Sequence, residues 1–278
     1  MRTVELSTGV HIAVQDVGAG PVVVLIAGFA LTHELWDRQV RVLAEKGHRV
    51  VCVDLRGHGD SDAPLDGYDV AALADEVTAV LDAVDVRSCV LVGHSFGGLV
   101  AFRMAARSPR RVTRLVLVGS NGVAACRTEN FPFGRPGPAL LARVVEAEHA
   151  GRVPARRAAL VASFATGPAP DAAVIDWLMS MSLQMPSWAA IACFRSLFTC
   201  DHVADLPSVT MPVVQVVGLA DPVHSFKGAA WLQERLPDAH LVEIAASGHY
   251  PMLETPDEFD HVLLAALGHE AIEITPAG

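Results

Sequence analysis

The stretch of sequence between residues 88 and 107 reads SCVLVGHSFGGLVAFRMAAR. It begins with the apolar run Ser88 to Val92, which is typical of a strand buried on both faces of a parallel sheet. It ends with apolar residues three and four apart from Gly97 to Arg107, the pattern of a helix. Between the two lies Gly93-His94-Ser95-Phe96-Gly97. A strand, a tight turn and a helix in this order predict one βα unit of an α/β fold.

The same alternation of apolar runs and helical patterns extends to both sides of this unit. Further strands are predicted at Val22 to Ala27, Arg49 to Val53, Leu115 to Gly119, Pro212 to Val217 and Leu241 to Ala245. Helices are predicted at Trp36 to Lys46, Val70 to Val84 and Phe226 to Leu236. Such alternation predicts right-handed crossovers and a mostly parallel, twisted sheet flanked by helices. The segments Val4 to Leu6 and His11 to Gln15 predict an antiparallel hairpin at one edge of the sheet.

The alternation stops between about Gly122 and Leu206, where no strand pattern is found. Helical patterns occupy this segment instead, at Ala139 to Ala150, Ala155 to Ala165, Asp171 to Met185 and Trp188 to Cys200. We therefore expect a core domain made of residues 1–121 and 207–267, and a helical insertion at residues 122–206. Residues 268–278 carry no strong pattern and are expected to form a loose tail.

Composition and charge narrow the class of protein. The chain has 278 residues, of which 51% are hydrophobic and 19% charged, enough apolar surface for one large folded unit with an insertion. The net charge is −10 and the Lys and Arg residues are scattered, so no nucleic-acid partner is expected. No leader and no run of about 18 apolar residues is found, which predicts a soluble, cytoplasmic protein without a membrane partner. Five cysteines without a CxxC pair argue against a disulfide framework or a zinc site.

Ser95 is the candidate nucleophile. A serine at a sharp turn from strand to helix has a strained backbone, and Gly93 and Gly97 relieve the crowding around it. The hydroxyl then projects above the sheet. The amide of Phe96 and the positive end of the helix point to the place where an oxyanion would form. The plainer alternative is an ordinary glycine-rich βα turn, which the five-residue motif alone would permit.

A serine hydroxyl needs a neighbouring base and a group that orients the base. Of twelve histidines, only His249 follows the last predicted strand, and so lies at the same sheet edge as Ser95. Asp221 follows the strand that ends at Val217, at that edge as well. The alternative place for the acid is directly after the strand Leu115 to Gly119, but there the sequence is Gly119-Ser120-Asn121-Gly122, without a carboxylate. Glu129 is the nearest acid and lies far along the chain.

These motifs, in the order Ser, Asp, His, resemble the α/β-hydrolase family. The resemblance covers nearly the whole chain and includes Asp54-Leu55-Arg56-Gly57-His58-Gly59-Asp60-Ser61, which is similar to an architectural loop common in the family. It implies that the amide of Phe29 contributes to the oxyanion hole, with Ala27 where the family commonly has histidine. It also implies that the helical insertion is the family's cap.

The reaction implied by this resemblance is a two-step acyl transfer that cleaves a carboxylic ester or a lactone. The insertion is rich in Trp, Met and Phe, and about a third of these side chains, Phe194 and Phe198 among the candidates, are expected to face the cleft and bind an apolar group. The expected pocket residues are Trp177, Met181, Met185 and Trp188. No cofactor or metal is implied, the expected partner is a small-molecule substrate, and the sequence makes no prediction of the oligomeric state.

Three alternatives stay open. The same triad serves cofactor-independent perhydrolases of the non-haem haloperoxidase type, and the stretch from Gly28 to Trp36 is similar to that group. It also serves enzymes that hydrolyse carbon–carbon bonds. A ligand receptor or a silent accessory protein on the same fold is the alternative from another class, but such a role does not require an intact triad. Haloalkane and epoxide hydrolases of the usual form have an aspartate nucleophile, which Ser95 excludes.

Overall fold

A computed structural model describes residues 1–165 and 169–269 of the chain. Eight strands form one sheet: β1 (Arg2–Glu5), β2 (His11–Gly18), β3 (Val22–Ile26), β4 (Arg49–Val53), β5 (Cys89–His94), β6 (Val112–Val118), β7 (Val213–Gly218) and β8 (Ala239–Ile244). Their order across the sheet is β1-β2-β4-β3-β5-β6-β7-β8. The strands from β3 to β8 run parallel, whereas β1 and β2 form an antiparallel hairpin beside β4. This arrangement confirms the predicted sheet and its edge hairpin.

Helices cover both faces of the sheet. They are α1 (Asp37–Glu45), α2 (Val70–Ala83), α3 (Phe96–Arg107), α4 (Gly137–Val161), α5 (Ala172–Gln184), α6 (Ser187–Thr199), α7 (Phe226–Gln233), α8 (Pro251–Glu254) and α9 (Pro256–Ala266). Short 3₁₀ turns lie at His33–Trp36 and Val203–Ser208. None of the helices in the described ranges is long and apolar enough to cross a membrane.

The core consists of two apolar layers, one on each face of the sheet. Successive side chains of a strand point to opposite faces. In β3, Val24 and Ile26 accordingly pack with the layer under α2 and α3, and Val23 and Leu25 pack with the layer under α1 and α9. All four side chains are fully buried. The continuous apolar runs in the sequence therefore correspond to strands covered on both sides.

Between β6 and β7 the described residues form helices and no strand, as predicted. The helical patterns Ala139 to Ala150 and Ala155 to Ala165 fall largely within α4, which runs on to Val161 and leaves helical geometry at Gly151. Pro154 follows this break, and it has no backbone N–H to continue the helical hydrogen bonds. Of the expected tail, Gly268 still bonds to the carbonyl of Ala265, and residues 270–278 lie outside the described residues.

Candidate active site

Ser95 sits between β5 and α3 with φ 52° and ψ −117°, in the left-handed region that non-glycine residues rarely adopt. The glycines on either side are required by close contacts. A Cβ atom on Gly93 would lie 2.5 Å from the carbonyl oxygen of Gly97, and one on Gly97 would lie 2.4 Å from that of Ala27. Strand, turn and helix therefore approach too closely for a side chain at either position. The strained turn presents the Ser95 hydroxyl at the carboxyl edge of the sheet.

Three side chains from three separate loops meet at this edge. Ser95 Oγ lies 2.9 Å from His249 Nε2, and His249 Nδ1 lies 2.8 Å from Asp221 Oδ2. His249 and the Asp221 carboxylate are almost fully buried. The structure thus brings together the three residues that the sequence predicts to act as nucleophile, base and acid. Because a carboxylate only accepts, His249 Nδ1 carries the proton toward Asp221, which leaves Nε2 free to accept the hydroxyl proton.

The surroundings of Asp221 keep it ionised. Burial raises the pKa of this carboxyl, but the charge and hydrogen bond of His249 and the amide of His224 outweigh the burial and lower the pKa to about 2. Asp221 Oδ1 accepts from the amides of Val223 and His224 at 2.7 and 2.9 Å. Asp221 is therefore an anion at any pH near neutrality, oriented by its own loop.

Two residues that the sequence did not single out hold the His249 loop. His94 Nε2 donates to the carbonyl oxygen of His249 at 2.9 Å. Glu254 accepts from the amides of Gly248 and Tyr250, on either side of His249, both at 3.0 Å, and from the amide of Ala165 at 2.8 Å. His94 stands beside the nucleophile in the motif, which is a usable signal, whereas nothing local in the sequence points to Glu254.

The predicted oxyanion-hole residues lie on both sides of Ser95. Phe96 is the first residue of α3, where backbone N–H groups have no partner within the helix. The loop that carries Phe29 is adjacent, since a Cβ atom on Gly28 would lie 3.1 Å from the Cβ of Ser95. Within the described part of the chain the Phe29 amide donates to no other group. The Phe29 amide is thus without an acceptor among the described residues, and the Phe96 amide lies at the start of α3, next to Ser95.

The family model described as "alpha/beta hydrolase fold" matches residues 21–256. This is most of the chain, and it includes Ser95, Asp221 and His249. The chain belongs to the α/β-hydrolase family.

Individual relatives of this α/β-hydrolase have different activities. It is 33% identical over 253 residues to the pimeloyl-[acyl-carrier protein] methyl ester esterase of Nitrosomonas europaea, covering 89% of this chain and 96% of the relative. The chain is 30% identical over 278 residues to the non-heme chloroperoxidase of Streptomyces lividans, and the match covers 95% of this chain and 99% of the relative. Among solved structures, an esterase from Exiguobacterium antarcticum superposes with a TM-score of 0.91 at 25% identity, covering 96% of this chain and 98% of that one.

An apolar cavity of about 280 Å³ opens above Ser95 and His249 in the hydrolase. Its wall includes Phe29 and Leu31 from the core and side chains of α4 and α6, among them the charged residues Glu148 and Arg156. The helical side chains include Val144, Leu160, Phe194, Leu197 and Phe198. We name this cavity the apolar arm. Phe29 and Phe194 stack with their ring centroids 4.1 Å apart and so join the core to the insertion.

The four predicted pocket residues do not line this cavity, and the prediction for them is wrong. Met181 and Met185 are fully buried in the two core layers, and Trp177 packs against one of those layers from the outside. Trp188 is 50% exposed and donates its indole N–H to the carbonyl of Ala63. Large apolar residues of a helix can serve the core, the surface or a cleft, and the sequence pattern does not distinguish the three. Phe194 and Phe198, from the same Met- and Phe-rich set, do face the cleft.

In the described ranges, no cluster of three or more His, Cys, Asp or Glu side chains is arranged to hold a metal ion. All five cysteines are free. The Asp54 carboxylate links its loop to the residues after β3, since it accepts from the backbone and ring of His33 at 2.6 and 2.9 Å.

Proposed function

We propose that this chain is a serine hydrolase that cleaves a carboxylic ester or a lactone with an apolar moiety. Ser95 is the nucleophile, His249 the general base and Asp221 the acid that orients His249. The observation that supports this most strongly is the row of hydrogen bonds from Ser95 through His249 to Asp221 below an apolar cavity. Relatives named as esterases, of which one is 33% identical over nearly its whole length, support ester cleavage.

In the first step His249 Nε2 takes the proton of Ser95 as Oγ attacks the ester carbonyl carbon. The carbonyl oxygen becomes an oxyanion, and the amides of Phe29 and Phe96 donate to it. His249, now protonated, is stabilised by the buried Asp221 carboxylate. The histidine then gives its proton to the leaving alcohol oxygen, the carbon–oxygen bond breaks, and the acyl group stays on Ser95.

In the second step water takes the place of the alcohol. His249 removes a proton from the water, the resulting nucleophile attacks the acyl carbon, and Ser95 leaves with the proton from His249. Asp221 stays ionised throughout because its pKa is held at about 2. No further group is needed for the proton transfers.

We further propose that residues 122–206 form a cap over a core domain of residues 1–121 and 207–267. The apolar arm supports this division, because α4 and α6 supply much of its wall while the core supplies Ser95 and His249. The cap then selects the substrate and the core performs the chemistry.

The proposal is tested by labelling with a fluorophosphonate and by hydrolysis of p-nitrophenyl esters and a panel of lactones. Wild type should be labelled and active, and Ser95→Ala should lose both properties while keeping the thermal unfolding of wild type. Ser88→Ala is the matched control, since Ser88 is exposed just before β5. A Ser95→Ala protein that keeps more than a few per cent of wild-type rate would overturn the assignment.

Perhydrolysis is a second candidate, because the chain matches a non-heme chloroperoxidase at 30% identity over nearly both full lengths. In this reaction hydrogen peroxide, in place of water, attacks the acyl group on Ser95 and releases a peracid. Incubation with acetate and hydrogen peroxide, with peracetic acid as readout, tests it. If the Ser95-dependent rate of peracid formation is far below the rate of ester hydrolysis, hydrolysis is the main activity.

A further inference from the structure

The backbone of His249 is held from two sides. Its carbonyl oxygen accepts from His94, which lies beside the nucleophile in the core. Its N–H donates to the carbonyl oxygen of Ser163 at 3.0 Å, and Ser163 belongs to the helical insertion. His249 is only 4% exposed, so its N–H would be buried and unsatisfied without this acceptor. One of the two hydrogen bonds that hold the backbone of the proposed base therefore comes from the insertion.

Ser163 continues the last turn of α4. The amide of Ser163 donates to the carbonyl of Leu160 at 3.1 Å, and the amide of Ala162 donates to the carbonyl of Ala158 at 3.0 Å. In the same turn, Ala159, Leu160 and Ser163 line the apolar arm. The turn that forms part of the wall around the substrate thus also supplies the acceptor for the amide of the base.

The residues after Ser163 approach the His249 loop too closely for a side chain at Gly248. A Cβ atom on Gly248 would lie 2.3 Å from the backbone nitrogen of Ala165 and 2.7 Å from the backbone carbonyl carbon of Phe164. Both atoms belong to the main chain, so neither can rotate out of the way. The contact is therefore between two backbones, one from the insertion and one from the loop that carries the base.

Side chains strengthen this backbone contact. The ring of Phe164 packs on the ring of Tyr250, with the ring centroids 5.0 Å apart, and Tyr250 is almost fully buried. Glu254 accepts from the amide of Ala165 at 2.8 Å, as well as from two amides of the loop that carries the base. We name residues 163–165 the support segment. It contacts that loop through a backbone hydrogen bond, a ring contact and a shared carboxylate.

We propose that the support segment of the insertion positions His249 for catalysis, with the carbonyl of Ser163 as its direct contact. This inference rests on the proposed ester hydrolysis, in which His249 takes the proton of Ser95. Proton transfer requires His249 Nε2 within hydrogen-bond reach of Ser95 Oγ, and a displacement of about 1 Å can lower a rate about 100-fold. The insertion therefore acts on the rate of the reaction through His249, in addition to selecting the substrate.

Phe164→Ala tests the proposal, because the Phe164 ring touches the His249 loop and is not part of the wall that the described residues form around the apolar arm. Steady-state kinetics on p-nitrophenyl acetate and hexanoate are measured at a temperature where the variant is fully folded. We expect kcat to fall about tenfold for both esters with KM little changed, because a poorly held base slows every substrate alike. The rate at which a fluorophosphonate labels Ser95 should fall by a similar factor. Phe164→Tyr keeps the ring and should restore kcat.

Phe133→Ala is the matched control. Phe133 is another partly buried phenylalanine of the insertion, and its ring packs on Phe131 and Trp231. The variant should lower the midpoint of thermal unfolding and leave kcat unchanged. If Phe164→Ala does not fold, Gly248→Ala takes its place, because the added Cβ atom displaces the support segment and should lower kcat for both esters.

Three results would overturn the inference. The first is a wild-type kcat in Phe164→Ala, or in Gly248→Ala where that variant takes its place, which would make the support segment a structural contact only. The second is a loss that appears only as a raised KM for the hexanoate, and the third is an equal loss of kcat in Phe133→Ala. Hydrolysis that persists in Ser95→Ala would instead show that the proposed function itself is wrong.

Discussion

Ser95 shows how a single residue is held ready for chemistry by its neighbours. Its left-handed backbone costs on the order of 1 to 3 kcal/mol for a non-glycine residue, and such strain persists only where the surrounding structure enforces it. Here the enforcement comes from β5, from α3 and from the two glycines whose Cβ atoms would collide with backbone. The hydroxyl is therefore presented to His249 without an induced movement.

Asp221→Asn is expected to lower kcat by roughly 10³ to 10⁴, because an amide neither stabilises the protonated His249 nor enforces the correct proton position on it. Esterase assays at saturating substrate measure the effect. Glu129→Gln is the control, since Glu129 is the nearest acid in the alternative loop and is exposed. A near-silent Asp221→Asn with a severe Glu129→Gln would move the acid to the loop after β6.

Glu254→Gln is expected to impair the positioning of His249. Two amides donate to one carboxylate oxygen of Glu254 and one amide to the other. Whichever way a glutamine is turned, its NH₂ group therefore faces at least one N–H. One unsatisfied donor costs about 1 to 3 kcal/mol.

We expect kcat to fall about tenfold at a temperature where the variant is fully folded, with KM little changed, and the midpoint of thermal unfolding to fall by several degrees. Glu258→Gln, an exposed acid on the next helix, is the control. Loss of stability without any loss of kcat in Glu254→Gln would reduce Glu254 to a purely structural role.

At the scale of elements, α6 contributes two different faces to the molecule. Phe194 and Phe198 lie four residues apart and so share the face toward the apolar arm. Trp188 lies six residues before Phe194, which turns it about 120° around the helix, out to solvent. The helical geometry thus explains why this aromatic pair lines the apolar arm and the tryptophan does not.

A chain-length series on p-nitrophenyl esters from acetate to decanoate tests this face of α6. Each buried methylene contributes about 0.8 kcal/mol, so kcat/KM should rise about fourfold per carbon until the apolar arm is filled. Phe194→Ala should change the chain length at which the rise stops, and Trp188→Ala should leave the profile unchanged. A flat profile in wild type would contradict the apolar-substrate proposal.

The ion pair of Glu148 and Arg156 connects the two halves of α4 across the break at Gly151, and ties them to α5 and α6. Removing one member of a buried pair leaves an uncompensated charge and typically costs about 3 to 5 kcal/mol. Glu148→Leu should therefore lower the free energy of unfolding by about that amount in urea titrations. The double variant with Arg156→Met should recover most of the loss.

The matched control is the next residue along α4. Arg157 pairs with Asp176 at the surface, where both side chains are largely exposed, and such pairs contribute about 0 to 1 kcal/mol. Arg157→Met should accordingly be nearly silent. Equal effects of Glu148→Leu and Arg157→Met would show that the buried pair does not hold the insertion together.

For the whole molecule, two buried neutral histidines make stability depend on pH. Burial lowers the pKa of His94 to about 3 and that of His224 to about 4, from an ordinary value of 6.5. Below pH 6.5 the unfolded chain takes up protons on these residues and the folded protein does not. The stability contributed by the neutral forms is therefore complete above pH 6.5 and is lost as the pH falls toward 4.

When the pH is lowered from 7 to 5, each of these histidines should lower the free energy of unfolding by about 2 kcal/mol. Urea titrations at the two pH values measure the loss, and His224→Gln should reduce it by about that amount. His149→Gln, at an exposed position of α4, should leave the loss unchanged. An equal pH dependence in wild type and His224→Gln would mean that His224 is protonated in the folded protein.

The sequence by itself determined the architecture and the candidate triad. Strand periodicity, helix periodicity and the strained serine turn are local patterns, and parallel strands bring their carboxyl ends to one edge by topology alone. The prediction of β4 matches its observed bounds, Arg49–Val53, and the other strands differ by one to three residues at their ends. These patterns were enough to predict Ser95, Asp221 and His249 as a group, because each of the three follows a strand at the same edge of the sheet.

Only the tertiary structure decided the wall of the apolar arm and the groups that hold the site. His94 and His249 lie 155 residues apart, and Glu254 contacts Ala165 across 89 residues. Phe194 and Trp188 share one helix, yet Phe194 lines the apolar arm and Trp188 is half exposed to solvent. These features depend on which distant segments pack together, and a periodic pattern specifies that a face is buried without specifying what covers it.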